Sequence, residues 1–176
     1  MKIDKIPYKE HNLLKVVVET PKGSQHKYDF DFEYKVFKLK KTLPLGSTFP
    51  FDFGFVPGTK GEDGDPLDVL IIMEEASFPG CLIDCRIIGI LEAEQTEKGG
   101  KPIRNDRIVA IANASILFKG ITSMKELNEN FINQIEDFFI DYNKSEQREF
   151  RPIRWSGSKK AWDLIEEGLQ TAGSQK

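Results

Sequence analysis

Residues 62–70 read EDGDPLDVL, which sets Asp63, Asp65 and Asp68 around Gly64 and Pro66 at the entrance to an apolar run. Two like charges ~4 Å apart repel by roughly 4 kcal/mol at a surface-like dielectric. Acids scattered over a solvated face avoid that penalty, so gathering them here calls for a cation. A calcium loop of the EF-hand kind would place Asp63, Asp65 and Glu74 at its first, third and twelfth positions. It then fails, because Leu67 falls where a ligand belongs, Asp68 replaces the glycine of the sixth position, and the flanks read as strand. A plain polar turn remains open, since Asp, Gly and Pro are ordinary turn residues. The third chemistry is a catalytic magnesium cluster. Hard divalent cations take oxygen ligands and keep waters beside a few carboxylates and substrate phosphates. Such ions acidify water and shield phosphate charge, leaving a further carboxylate to take the proton. By themselves the residues lead as far as a Mg²⁺-dependent phosphoryl hydrolase, with the polar turn as the alternative.

The elements that must position these acids fall into two groups. The first two-thirds of the chain is a series of short runs rich in β-branched and aromatic residues: LLKVVVE (13–19), HKYDFDF (26–32), YKVFKLK (34–40), FPFDFGFV (49–56), VLIIM (69–73), LIDCRIIGIL (82–91) and RIVAIA (107–112). Gly-, Pro- and Ser-rich segments separate them. Phe49, Phe51, Phe53 and Phe55 alternate, which predicts one shared face and a packing role. EAEQTEKGGKPIRN (92–105) reads as a hairpin with an exposed tip. Helices come last. Ser123 and Glu126 in SMKE resemble a capping box, and Leu127, Phe131, Ile135, Phe138 and Tyr142 recur at helical spacing. A second helix is expected after Ser158, carrying Trp162, Ile165 and Leu169, with the residues from about 171 fraying as a tail. The fold class is α+β: a five-stranded OB-like β-barrel with additional hairpin strands and two C-terminal helices packed on it, residues 1–176 forming a single domain.

The totals exclude several functions. The 176 residues are 39% hydrophobic and 30% charged with a net charge of −3, so no global positive field draws nucleic acid or an anionic membrane. No apolar stretch approaches the ~20 residues of a membrane helix, and MKIDKIPYKEHN lacks the apolar core of a secretory signal. Cys81 and Cys85 are the only cysteines. Within one strand they would stand roughly 13 Å apart, beyond the ~7 Å a disulfide spans. The two histidines, His11 and His26, offer no zinc spacing. Free thiols point to a reducing, cytoplasmic setting.

DGDPLDV resembles the signature of the soluble family I inorganic pyrophosphatases. VVVETP (16–21), HKYDFD (26–31), TFPFDFGFVPGT (48–59), PGCLIDCRIIGIL (79–91) and IEDFFIDYN (135–143) resemble further segments of that family in the same order, over roughly residues 13 to 165. The resemblance implies the OB-like barrel and the hydrolysis of pyrophosphate to two phosphates with Mg²⁺, Mn²⁺ being a substitute. It implies that Asp63, Asp65 and Asp68 bind metal, Asp65 also accepting the proton of the attacking water. Glu19, Lys27, Lys41, Arg107 and Tyr142 would face substrate. It implies a homo-oligomer, a hexamer or smaller, although IEDFFIDY lacks the histidines of the family's interface helix.

Several positions depart from the family pattern. Lys41 stands for an arginine, Phe49 and Phe53 for tyrosines, and Asn143 for a lysine. RNDRIVAI (104–111) puts Asn105 where a carboxylate bridging the metals would be and Arg107 where a lysine would be. Asp106 is adjacent, but strand alternation turns it to the opposite face. Glu97 is the candidate for a further acid upstream, with Gln95 competing for the position. Phosphoryl transfer depends on positioning and electrostatic stabilisation, so the expectation is a working enzyme with an altered rate or metal preference. The alternatives are a non-catalytic relative that binds pyrophosphate or phosphate, and a hydrolase of a larger phosphoanhydride. REFRPIRWSGSKK (148–160) is basic and holds Trp155, but Glu146 and Glu149 and the acidic total argue against a nucleic-acid patch. It reads as the crossing to the last helix, adding positive potential near the phosphate entrance.

Overall fold

The computed structural model describes residues 3–174. Ten strands and two helices follow in order: β1 (Lys9–Glu10), β2 (Leu13–Thr20), β3 (His26–Asp31), β4 (Val36–Thr42), β5 (Asp52–Phe55), β6 (Asp68–Ile72), β7 (Leu82–Thr96), β8 (Ile103–Arg104), β9 (Arg107–Ala112), α1 (Glu129–Ser145), β10 (Glu149–Ser156) and α2 (Ser158–Gly173). β2 pairs with β5, β5 with β6, β6 with β9, β9 with β7, and β7 returns to β2, closing the ring of five strands expected of an OB-like barrel. Only β6 and β9 run parallel within it. β3 and β4 form a separate hairpin, and β8 folds back on β7.

The central strands are apolar on both faces because both faces are covered. Along β6, Val69 and Ile71 join a cluster completed by Ala161 and Ile165 of α2, whereas Leu70 and Ile72 join a second cluster completed by Ile135 and Phe139 of α1. β9 divides the same way, Ile108 and Ala110 against Val109 and Ile111. The sheet is thus held between two helices, and the ends of β6 and β9 are fixed. Gly89 makes one close approach workable, since a Cβ there would lie 2.2 Å from Met124 Cγ and 2.8 Å from the Ser156 carbonyl.

Four expectations are corrected. The segment 149–156 is not a crossing: it is β10, paired antiparallel with β7 at the sheet edge. A bulge between Pro152 and Arg154 breaks the alternation there, and an edge strand tolerates the proline. Ser123 caps only the short 3₁₀ turn Met124–Glu126, and Glu126 reaches back to Thr122. Leu127 is extended, so α1 starts at Glu129 with Asn128 as its cap, accepting from the Asn130 amide at 2.8 Å. Its most buried side chains are Ile135, Phe139 and Asn143, with Phe138 and Tyr142 only partly covered. The phenylalanine row divides, Phe49 and Phe53 packing toward α1 and Phe55 joining Val17 and Phe30 under the β3–β4 hairpin. The frayed tail is shorter than expected: residues 171–173 continue α2, Thr171 Oγ1 donating to the Glu167 carbonyl at 3.0 Å, and residues 175 and 176 lie outside the described residues.

Candidate active site

The aspartate loop is cinched by its own backbone. Val56 N donates to the Leu67 carbonyl at 3.0 Å, Leu67 N to Thr59 Oγ1 at 3.0 Å, and Gly61 N to the Asp65 carbonyl at 2.8 Å. Gly64 turns the chain at φ +91, a left-handed conformation that a side chain would strain. Asp65 N donates to Asp63 Oδ1 at 3.1 Å, which orients the first carboxylate against the loop. Asp68 opens β6. All three aspartates line one cavity of about 410 Å³.

Glu19, Lys27, Arg107 and Tyr142 line the same cavity, from β2, β3, β9 and α1. Arg107 is the anchor of its far wall. Its guanidinium lies 5.2 Å from the Phe139 ring, 5.8 Å from Phe150 and 5.9 Å from Phe53. Helix α1, the unexpected strand β10 and strand β5 therefore each supply one face of its cage. From there Nη1 pairs with Asp68 Oδ2 at 2.5 Å and also donates to Asn105 Oδ1. Lys27 bonds Asp29 two residues along β3.

Lys41 is not brought to the cavity wall. Its ammonium sits 3.9 Å over the Tyr142 ring and pairs with Glu146 at 3.1 Å. Lys40 lines the wall instead and pairs with Asp29 at 3.5 Å. The cause is a bulge: Lys27 faces Lys41 and Tyr28 faces Leu39, so Lys40 is the extra residue and simple alternation fails. Among the charged lining residues, Asp29 and Lys40 had no site role in the sequence reading, and Arg148 had only that of its segment, a positive potential near the phosphate entrance. Arg148 belonged to the basic segment, and its charge was the available signal.

Asp106 turns away as alternation requires. It accepts from the Ala93 amide at 2.8 Å and pairs with Arg104 at 2.8 Å, on a second cavity of about 390 Å³ that shares Asp63, Asp68 and Asn105 with the first. Arg104 also pairs there with the buried Glu92.

The electrostatics of the first cavity are unbalanced. Burial pushes the Glu19 carboxyl up to about 8, against the opposing pull of Lys27 and a 2.7 Å bond from the Phe30 amide. Burial likewise lifts the Asp68 carboxyl above the usual range despite Arg107 and Lys27. The Tyr142 hydroxyl is pushed up to about 12 by burial, so it is an O–H donor at neutral pH. For Lys27 burial works the other way, but its acidic surroundings, with Asp29 bonded to it, raise it and keep it charged. Carboxylates short of cationic partners, with hard oxygen donors on a cavity wall, fit a divalent cation. Among the described residues no three acidic, histidine or cysteine side chains form a ready-made metal group. The donor set is therefore open, suited to an ion that keeps water or phosphate in its shell.

The comparisons with known proteins agree with this geometry. The family model described as inorganic pyrophosphatase matches residues 16–172. The chain is similar to the inorganic pyrophosphatase of Synechocystis sp., 33% identical over 95% of this chain and 96% of that one. It is 34% identical to the inorganic pyrophosphatase of Methanosarcina acetivorans, over 90% and 91% of the two chains. Among solved structures, that of an inorganic pyrophosphatase from Neisseria gonorrhoeae superimposes with a TM-score of 0.87 at 27% identity, covering 98% of this chain and 99% of the other.

Proposed function

The chain belongs to the inorganic pyrophosphatase family, and from that premise we propose that it hydrolyses inorganic pyrophosphate to two phosphates in a metal-dependent reaction. The observation that carries the reading is the meeting of Asp63, Asp65 and Asp68 with Lys27 and Arg107 in one cavity. Acids alone would repel the substrate and bases alone would hold it without activating water. Both together, on a cinched loop and the strands beside it, suit phosphoryl transfer, which depends on position and charge.

Asp63 and Asp68 are the metal ligands of this reading, with Asp65. Magnesium is the ion the hard oxygen set favours, Mn²⁺ substituting, and when bound it supplies Lewis acidity and neutralises phosphate charge. Asp68 is already held by Arg107, whereas Asp65 stands exposed at the cavity, where water reaches it. Asp65 is the base of this reading, as the family resemblance implies, taking the proton as water attacks phosphorus and the P–O–P bond breaks. Lys27, kept charged by its neighbours, meets a phosphate oxygen as a point charge. Tyr142 donates its O–H to a phosphate oxygen. Glu19 is held in place by the Phe30 amide. Lys41 acts one layer out, holding the Tyr142 ring. The free thiols of Cys81 and Cys85 favour the cytoplasm as the setting.

A phosphate-release assay with pyrophosphate, run with Mg²⁺ and with Mn²⁺, tests the reading. Turnover that EDTA abolishes is the expected result. No turnover with either ion would reject it. Pyrophosphate binding without turnover would make the chain a non-catalytic relative, and turnover only of larger phosphoanhydrides would reassign its substrate.

A further inference from the structure

One wall of the cavity is built from N–H donors. Arg107 donates to Asn105 Oδ1, Asn105 Nδ2 donates to Gln95 Oε1 at 3.1 Å, and Gln95 Nε2 reaches Glu97 Oε1 at 3.4 Å. Arg148 ends the row, paired with Glu97 at 2.7 Å. All five side chains line the cavity that holds the aspartate loop.

The direction of this row is fixed at both ends. A guanidinium can only donate and an ionised carboxylate can only accept, so each amide must turn its oxygen toward Arg107 and its nitrogen toward Glu97. The oxygens of Asn105 and Gln95 are the only atoms on those side chains able to ligate a hard cation. Both are already engaged by protein N–H groups, and the nearer one lies against a permanent positive charge. A metal ion entering here would have to displace Arg107 and share its space. An anion would meet the second N–H of each amide. Arg107 Nε, buried, has no hydrogen-bond partner among the described residues, so the guanidinium keeps a donor unspent.

We propose that Gln95, Asn105 and Arg107 form an anion subsite that excludes divalent ions and binds the substrate's phosphate oxygens by N–H donation, confining the metal demand of the chain to the Asp63–Asp68 loop. The proposal rests on the phosphoryl-hydrolase reading of the cavity and deepens it: part of the positive charge that the substrate meets is covalently part of the protein. Arg107 serves both sides of the cavity, neutralising Asp68 on one and presenting donors on the other.

Two measurements on the full chain test it, neither of which needs turnover. The first counts Mn²⁺ bound per chain by equilibrium dialysis, with free ion read by electron paramagnetic resonance. The double variant Gln95→Glu/Asn105→Asp puts two carboxylates in hydrogen-bonding reach, and is expected to bind one more Mn²⁺ per chain than the wild type. Equal counts would overturn the proposal. The second titrates imidodiphosphate, a non-hydrolysable analogue, into metal-free protein in EDTA by calorimetry. Binding by the wild type, weakened at least tenfold in Arg107→Gln, is expected. No binding by the wild type, or unchanged affinity in the variant, would overturn the proposal even if the double variant does not fold. Failure of phosphate release would reject the hydrolase reading while leaving both of these results to stand by themselves.

Discussion

Two buried glutamates flank the aspartate loop and behave in opposite ways. Glu92, on β7 behind the loop, receives Arg154 Nε and Ser156 Oγ on one oxygen, at 2.8 and 2.5 Å, and Arg104 on the other at 3.2 Å. Its bond to Arg154 comes first among the causes that hold its carboxyl down at about 2, against the effect of burial. Glu19, on β2 at the front cavity, has one backbone amide and the more distant charge of Lys27, and burial pushes its carboxyl up to about 8. Both are acids in an apolar frame, so residue type does not separate them. What separates them is satisfaction. A buried charge whose hydrogen bonds are complete serves the fold, whereas one left short of partners is waiting for a ligand or reacting group.

That contrast predicts which changes alter chemistry and which alter stability. The largest effect falls at the front. Asp65→Asn keeps the size of an exposed side chain and removes its basicity, so kcat should fall by about 10²- to 10⁴-fold, the usual worth of a positioned base. The melting temperature should hold within about 2 °C, because nothing in the core leans on that carboxylate. Unchanged kcat would take Asp65 out of its catalytic role and blur the front–back division.

At the back the effect moves to stability. Glu92→Gln leaves Arg104 and Arg154 facing a neutral amide and should destabilise the fold by about 3 kcal/mol, the worth of a shift from 4.5 to about 2. The sign follows from the depressed carboxyl: its stabilisation is present above about 4.5 and is lost as pH falls toward about 2. Urea melts at pH 7 and near pH 2.5 should therefore show a wild-type advantage that largely vanishes in acid. kcat of the folded variant should stay within about twofold. An advantage that persisted in acid would mean that packing, not charge, holds this cluster.

The two sides were not equally legible in the chain. The aspartate loop could be found because its chemistry is local: three acids and a glycine within six residues bring themselves together wherever the chain goes. The strands β6 and β9 were legible too, since burial on both faces leaves an unbroken apolar run. What sequence reasoning missed depended on single-residue register. The bulge at Lys40 exchanges one lysine for its neighbour at the cavity, and the bulge near Ile153 hides β10 by breaking its alternation. The satisfied cluster around Glu92 was invisible for another reason. Its partners lie 12 to 64 residues away, and only the pairing of β7 with β8 and β10 brings them together.

Glu19 gives the third test. Its carboxyl is raised, so its contribution to stability is complete below about 4.5 and is lost as pH rises through about 8. In metal-free protein, stability should decline by about 2 kcal/mol between pH 6.5 and 8 from this group. Glu19→Gln keeps an oxygen for the Phe30 amide and carries no charge, so the decline should disappear. Divalent ions should flatten the wild-type profile as well, by supplying the missing partner. If the variant declined as steeply as the wild type, the imbalance would lie elsewhere on the cavity wall.

The smallest effect belongs to Tyr142, which sits on the boundary between the two behaviours. Its ring packs 5.8 Å from Phe49 and 5.7 Å from Phe138, with the Lys41 ammonium above it, and a phenylalanine would keep all of that. Only the hydroxyl, which stays protonated up to about pH 12, is removed by Tyr142→Phe. One neutral hydrogen bond is worth about 1 kcal/mol, so kcat/KM for pyrophosphate should fall about fivefold. The melting temperature should move by about 1 °C at most. A hydroxyl used only in the transition state would show the loss in kcat, and one used equally by bound substrate would show it in KM. No loss in either would place Tyr142 with the satisfied, structural side chains, and leave the donation to phosphate to Lys27 and the Gln95–Asn105–Arg107 wall.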